Sequence, residues 1–132
     1  MEEWIQTVGD PQTMSRIKKL MYEASKNRMM KNLPKADVVI TNPTHYAVAI
    51  KYDMQKDAAP EVIAKGVDEL AIRIKEVAKE HGIPIQENRE LARALYKMCD
   101  IGDKIPSSLF KAVAQVLAYV YNLKKSKKKS IV

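Results

Sequence analysis

Hydrophobic positions recur with a helical period in the first part of the chain. Between residues 11 and 32 they return at steps of about three, four or seven on a largely basic background, which predicts a helix with a narrow apolar stripe. The members of the stripe are Met14, Ile17, Met21, Ala24 and Met29. Asp10 and Pro11 suit the N-cap and the first helical position, and Pro34 marks the end of the helix.

A different pattern follows. Residues 36–41 form a short β-branched run that predicts a buried strand, and Asn42-Pro43-Thr44-His45 is a turn signal. Residues 46–52 predict a second strand, and residues 53–60 predict a loop. Alternation along this second strand places two sets of side chains on opposite faces: Val48, Ile50 and Tyr52 on one, Ala47, Ala49 and Lys51 on the other.

The second half of the chain is mainly helical in pattern. Residues 67–81 give the clearest amphipathic helix, which Gly82 ends. Its predicted core face consists of Val67, Leu70, Ala71, Ile74, Val77 and Ala78. Residues 83–85 predict a short strand, and the proline at its centre suggests either an edge position or the start of the strand. Asn88 caps a helix to about Met98, and a last helix runs from residue 106 to about 123.

Strands that interleave with helices predict an α/β domain. We expect a small central sheet flanked by about four helices, with a long basic helix at the amino-terminal end. A length of 132 residues suits one domain. The division we predict is a linker helix over residues 1–33, a folded domain over 34–123 and a flexible basic tail over 124–132.

Composition indicates the cellular compartment in which the chain is found. Cys99 is a single cysteine, which builds no disulfide framework and favours a reducing environment. The sequence holds no apolar run long enough to span a membrane, and its start lacks the features of a signal peptide. We therefore expect a cytoplasmic location.

Charge is unevenly distributed along a chain of net charge +7. Residues 1–10 carry three acids and no base, residues 11–32 carry six bases and one acid, and residues 124–129 include five lysines. Two basic zones indicate contact with something anionic, which leaves phospholipid, nucleic acid and an acidic protein as alternatives. The tyrosines lie mostly among apolar positions and not between lysines, so a platform for stacking nucleic-acid bases is not evident.

The dipeptide Asn42-Pro43 permits an unusual reaction. Proline has no N–H, so it cannot attack the asparagine side chain as other residues do. The Asn42 side-chain amide can instead attack its own backbone carbonyl, close a succinimide and expel the Pro43 nitrogen. His45 could donate the proton that this nitrogen needs, and Thr44 could orient the turn. Asn-Pro is also an ordinary turn dipeptide, and most such pairs never cleave.

Other chemistries find little support in the sequence. His45, His81 and Cys99 lack the paired spacing of a zinc site, and Lys65-Gly66 lacks the order of a phosphate-binding loop. We expect no metal and no cofactor.

The last helix carries more apolar residues than one helix in a small domain can bury. Its apolar surface is either covered as a central helix or partly exposed to a partner. For the second alternative, the candidate docking residues are Ala59, Pro60, Ala114 and Leu117.

Several sequence blocks appear together in a fixed order. The first runs from residue 34 to 50 and contains Asn42-Pro43-Thr44-His45, and others cover residues 59–66, 91–96 and 112–117. In these blocks the chain resembles the FlhB/YscU family of type III export switch proteins. The sequence of residues 44–50 is most similar to the flagellar branch of that family.

This resemblance implies a function. It implies the cytoplasmic domain of an inner-membrane protein that cuts itself between Asn42 and Pro43 in a single-turnover reaction, so that the protein is no enzyme with turnover. It implies a switch of export from rod- and hook-type to filament-type substrates. The implied partners are the export-gate membrane proteins, a hook-length-control protein and rod- or hook-type substrates, with anionic lipid beside the basic helix and no nucleic acid.

Overall fold

The computed structural model describes residues 10–43 and 45–131, with side chains as far as Lys124. Four helices and four strands make up this part of the chain. In chain order they are α1 (Pro11–Asn32), a single 3-10 turn (Leu33–Lys35), β1 (Val38–Asn42), β2 (Tyr46–Lys51), β3 (Glu61–Val67), α2 (Asp68–Glu80), β4 (Ile85–Glu87), α3 (Arg89–Met98) and α4 (Ser107–Ile131).

The strands form one mixed sheet in the order β3-β2-β1-β4. β1 pairs antiparallel with β2 and parallel with β4, and β2 pairs antiparallel with β3. The α/β prediction is confirmed. β4 lies at an edge, which is one of the two positions that Pro84 suggested, but the strand covers residues 85–87 and not 83–85, so the proline precedes it.

Helices cover both faces of the sheet. One face packs against α3 and α4 through Val38, Ile40, Val48, Ile50 and Val62. The opposite face packs against α2 and the end of α1 through Val39, Ala47, Ala49, Ile63 and Ala64. The predicted alternation along β2 is therefore correct for its valine, isoleucine and alanines. The arrangement has three layers, and the sheet is the central one.

The helix α1 begins where the sequence predicted. The Asp10 side chain accepts a hydrogen bond from the Gln12 N–H at 3.2 Å, and Pro11 is the first helical residue. Only Met29 of this helix is buried, whereas Met21 is 65% exposed. Only the last turns of α1 pack on the sheet, so its basic surface stays accessible.

Two elements differ from the predictions. β3 was not predicted, because Lys65 and Gly66 interrupt its apolar run. The last helix continues through Ile131, beyond its predicted end near Leu123, because lysine is a good helix former. The mobility of the tail stays a prediction.

No helix in the described ranges, 10–43 and 45–131, is both long enough and apolar enough to cross a membrane.

The contact between β3 and α2 depends on the absence of a side chain at Gly66. A Cβ atom at this buried position would lie 2.6 Å from Leu70 Cγ and 3.1 Å from Ile74 Cδ1. We expect Gly66→Ala to lower the free energy of unfolding by about 1–3 kcal/mol, because the added methyl group overpacks the core. Urea denaturation measures the change. Ile72→Ala, at an exposed position of α2, is the control and should change it by less than about 0.5 kcal/mol. Equal effects of the two substitutions would contradict this account of the packing.

Candidate functional site

The Asn-Pro turn, residues 42–45, joins the adjacent strands β1 and β2. Asn42 is the last residue of β1 and lies opposite Tyr46, the first residue of β2. The His45 N–H donates a hydrogen bond to the Asn42 carbonyl oxygen at 3.2 Å and closes the turn. Pro43 suits the second position of such a turn because its ring fixes φ and it has no N–H to satisfy. Thr44 lies outside the described residues.

The carbonyl that accepts this hydrogen bond belongs to the Asn42–Pro43 peptide bond. A donor on this oxygen draws electron density from the carbonyl carbon and stabilises the negative charge that develops when a nucleophile adds. Any attack on this carbon would therefore start from a polarised carbonyl. The contribution of His45 that the structure shows is its main-chain N–H, and a role of its imidazole in proton transfer stays a prediction.

The His45 side chain lies beside the start of α2. Its Nδ1 is 3.5 Å from Asp68 Oδ1, and the Asp68 N–H donates to the His45 carbonyl oxygen at 3.0 Å. The side chains are 64% and 72% exposed, so the pair adds little stability. Asp68 has a φ of 49°, in the left-handed region that aspartate tolerates better than most residues.

Two further contacts anchor the chain on either side of the Asn42–Pro43 bond. The Lys75 ammonium of α2 donates to the Pro43 carbonyl oxygen at 3.0 Å. The Thr41 carbonyl oxygen accepts the Asn88 N–H, at the start of α3, at 2.9 Å. The turn is thus tied to two helices as well as to its own strands, which limits the conformations that Asn42 can adopt.

The predictions from sequence missed Asp68 and Lys75. A spacing of seven residues puts both on one face of α2, and this spacing is the signal that could have found them. Each looks like an ordinary solvated charge in the sequence. Only the approach of the turn to α2 in three dimensions gives them a role.

The predicted docking residues do not share one surface. Ala114 is exposed and Ala59 is half-buried, but Pro60 and Leu117 are buried in the core. Leu117 points inward from α4, and the Pro60 carbonyl oxygen accepts the Ile105 N–H at 2.8 Å. The expectation that Pro60 and Leu117 lie at the surface is wrong, because the helical period and the strand that follows turn both inward.

One face of α4 remains exposed. Phe110 is 38% exposed and Tyr119 is 53% exposed, and Ala114 and Ala118 are exposed between them. The Tyr121 hydroxyl of the same helix donates a hydrogen bond to the Tyr52 carbonyl oxygen at 3.3 Å. Burial and then the nearby Asp37 carboxylate raise the pKa of Tyr121. The helix is therefore not fully covered by the rest of the described chain.

The single cysteine is a core residue. Burial, and then the nearby Asp103 carboxylate, raise the pKa of Cys99, so the thiol stays neutral near pH 7 and is a poor nucleophile or metal ligand. Within residues 10–43 and 45–131, no three histidine, cysteine, aspartate or glutamate side chains come together as a metal site would require.

A three-layer α/β domain with an Asn-Pro turn beside its central strand is the class of protein that these features define. The chain belongs to the FlhB HrpN YscU SpaS family, whose model matches residues 1–120.

Individual relatives agree with this family. The chain is 51% identical over 123 residues to the flagellar biosynthetic protein FlhB of Bacillus subtilis (strain 168), and the match covers 93% of this chain and 34% of the relative. It is 48% identical over 124 residues to the protein of the same name from Salmonella typhimurium (strain LT2), covering 94% and 32%. The chain thus spans about a third of the length of these relatives.

Solved structures share the fold. The crystal structure of the cytoplasmic domain of FlhB from Shewanella putrefaciens is 52% identical, with a TM-score of 0.75, over 79% of this chain and 80% of that one. A mutated EscU C-terminal domain is 34% identical, with a TM-score of 0.67, over 70% and 92%. Solved EscU domains carry mutations at an asparagine, at the proline after it and at a histidine two positions further on.

Proposed function

We propose that this chain is the cytoplasmic part of a flagellar type III protein export component, and that it cuts its own backbone between Asn42 and Pro43. Membership of the family supports the export role, and the printed names of the flagellar relatives support the flagellar branch. The observation that supports cleavage best is the turn itself, in which a main-chain donor faces the Asn42 carbonyl oxygen.

The reaction needs no external group. The Asn42 side-chain nitrogen forms a bond to the Asn42 backbone carbonyl carbon, and a succinimide ring closes. The bond from that carbon to the Pro43 nitrogen breaks, and its electron pair stays on nitrogen, which takes up the proton that the attacking amide loses. His45 assists this transfer directly or through water, and Thr44 orients the turn. Water then opens the succinimide.

Positioning supplies much of the rate in this scheme. Attacking and attacked atoms belong to the same residue, so no encounter is required, and a turn anchored at both ends limits non-productive conformations. Each molecule reacts once, so the protein acts on itself and is not an enzyme with turnover.

The two fragments should remain associated after the cut. The first fragment ends with β1, which is paired on both sides with strands of the second fragment. Its residues Val38, Val39 and Ile40 are fully buried. Separation would expose this strand, so only denaturation should release it.

The cut changes the surface around the turn. Residues 43–45 gain a new chain end, and we assign to this change the switch from rod- and hook-type to filament-type substrates. A hook-length-control protein is the proposed trigger, and the export-gate membrane proteins are the proposed readers of the altered surface.

The relatives are about three times longer than the part matched here, so the remaining length has room for a membrane part. The location we propose is the cytoplasmic face of the bacterial inner membrane, with α1 leading from the membrane to the domain.

Purified protein should consist of two fragments, residues 1–42 and 43–132. Asn42→Ala removes the attacking amide and should abolish cleavage without loss of the fold. Pro43→Ala relaxes the turn and should slow cleavage strongly. His45→Ala should slow it about tenfold or more without stopping it, because the main-chain N–H at position 45 is retained. Intact mass in denaturant, followed over time, measures all four proteins.

A fragment one water lighter than hydrolysed 1–42 would identify the succinimide. Wild type that stays a single chain, or Asn42→Ala that is cut as fast as wild type, contradicts the mechanism. In cells, folded Asn42→Ala should still export rod- and hook-type substrates and fail to admit filament-type ones. Normal export of filament-type substrates by that variant would show that switching does not require cleavage.

The exposed face of α4 is the docking surface that we propose for early export substrates. Ala114 lies on it, and the Pro60–Ile105 contact brings the loop of Ala59 to the start of the same helix. Ala114→Glu should weaken binding of a purified hook-type substrate about tenfold by placing a charge in an apolar contact. Gln115→Glu adds the same charge at an adjacent exposed position and should have less effect. Fluorescence anisotropy measures both. Unchanged binding by folded Ala114→Glu excludes this surface.

The accessible basic face of α1 supports contact with anionic lipid. We expect vesicles that contain anionic lipid to bind the domain, and each of Lys18→Glu and Lys19→Glu to weaken binding at least about fivefold. Lys79→Glu, exposed on α2, is the matched control. Co-sedimentation at two salt concentrations measures binding. Equal binding to neutral and anionic vesicles would contradict the contact with anionic lipid. If the domain binds RNA in a salt-dependent way and does not bind anionic vesicles, a nucleic-acid partner is favoured.

A further inference from the structure

The helix α2 contacts two carbonyl groups that both lie downstream of the proposed cut. The Asp68 N–H binds the His45 carbonyl oxygen, and the Lys75 ammonium binds the Pro43 carbonyl oxygen. Both bonds attach the segment 43–45 to the same helix. Release of this segment therefore requires that α2 lose its contacts with it.

Lys75 holds its end of the segment by the positive charge of its ammonium group. The side chain is half-buried, and among residues 10–43 and 45–131 no carboxylate lies within ion-pair distance of it. Arg73 and Glu76 form an ion pair with each other on α2, and Lys75 takes no part in this pair. In the intact chain the Pro43 carbonyl oxygen is the negative end of a dipole, so the contact is favourable.

Cleavage reverses the electrostatics at this point. The Pro43 nitrogen is an uncharged amide in the intact chain. The proton that it receives from the attacking amide makes it a neutral secondary amine, and a second proton taken up from water makes this new amino terminus a cation near pH 7. Opening of the succinimide by water leaves a carboxylate on Asn42, at the end of β1.

The Pro43 nitrogen is separated from the Pro43 carbonyl oxygen by only three covalent bonds, so it lies within about 3–4 Å of that oxygen. The Lys75 ammonium, at 3.0 Å from the same oxygen, then faces a second cation nearby. The two nitrogens are at most about 7 Å apart, since both lie close to the same oxygen. Like charges at such a distance repel one another, and the partial burial of Lys75 limits screening by salt.

We propose that Lys75 couples backbone cleavage to release of the turn: its ammonium positions Pro43 in the intact chain and repels the new amino terminus once the bond is cut. This inference rests on the proposed self-cleavage at Asn42-Pro43. It makes Lys75 a positioning residue, because it contacts no reacting atom, and it gives the switch a physical cause in the cationic amino terminus that the cut leaves on Pro43.

The first measurement is the cleavage rate of three proteins under identical conditions. Lys75→Met keeps the length of the side chain and removes its charge, and it should slow cleavage about tenfold because the turn loses an anchor. Lys75→Arg keeps both charge and donor and should cleave within about twofold of wild type. Lys79→Met is the control on the same helix. Urea midpoints show whether each variant is folded.

The second measurement reports release of the turn. The Asp68 amide proton is bonded to the His45 carbonyl oxygen, so its hydrogen exchange rises when the segment leaves α2. In wild type and in Lys75→Arg we expect cleavage to raise this exchange rate about tenfold relative to the same background carrying Asn42→Ala. In cleaved Lys75→Met the rise should be less than about twofold, since no ammonium faces the new terminus.

The outcomes distinguish failure of this inference from failure of the proposed self-cleavage at Asn42-Pro43. Wild type that does not cleave overturns self-cleavage itself. Wild type that cleaves, with Lys75→Met cleaving equally fast, overturns the positioning role. An equal rise in Asp68 exchange after cleavage of wild type and Lys75→Met overturns the repulsion. Slower cleavage in Lys75→Met together with rescue by Lys75→Arg supports the positioning role, and loss of the exchange rise supports the repulsion.

Discussion

The burial of β1 is the constraint on which the rest of the structure depends. Its residues Val38, Val39 and Ile40 are fully buried, alternate members pack against different helical layers, and the strand is paired on both sides. An extended segment with no exposed edge and no exposed face has little freedom to shift or twist. The position of Asn42 at its end is therefore fixed by the core of the domain and not by the turn alone.

This location makes the proposed backbone cut compatible with a stable fold. The Asn42–Pro43 bond lies just beyond the last paired residue of a central strand, where the chain leaves the sheet. Breaking it would remove one covalent link but none of the sheet hydrogen bonds or core contacts of β1. Any local rearrangement would then be confined to the segment that contacts α2, with the rest of the domain as a rigid support.

The accessible surfaces lie away from this core. α1 packs on the sheet only near Met29, and α4 leaves one side with Phe110 and Tyr119 exposed. These two helices differ in character, since the first is basic and the exposed side of the second carries Phe110, Ala114 and Tyr119 among polar residues. Such a division suits one contact that depends on charge and another that depends on burial of apolar area.

The fold was largely predictable, and the exception has a physical reason. Helices with one buried face, such as α2, and strands beside a turn signal, such as β2, show their period in the sequence. β3 has Lys65 and Gly66 within its apolar run, and Gly66 is needed there only because Leu70 packs closely against it. Sequence patterns record which side of an element is apolar, but they do not record which element lies against it.

The sequence by itself determined the α/β class, the Asn42-Pro43 dipeptide and the ordered blocks by which the family resemblance was recognised. These depend on local propensity, on the covalent chemistry of proline and on residues that are neighbours along the chain. Tertiary structure decided the rest. It turned Pro60 and Leu117 into the core and placed Asp68 and Lys75 against the turn. Contacts between residues far apart in the sequence depend on how the layers pack, and the pattern of any one segment does not contain that information.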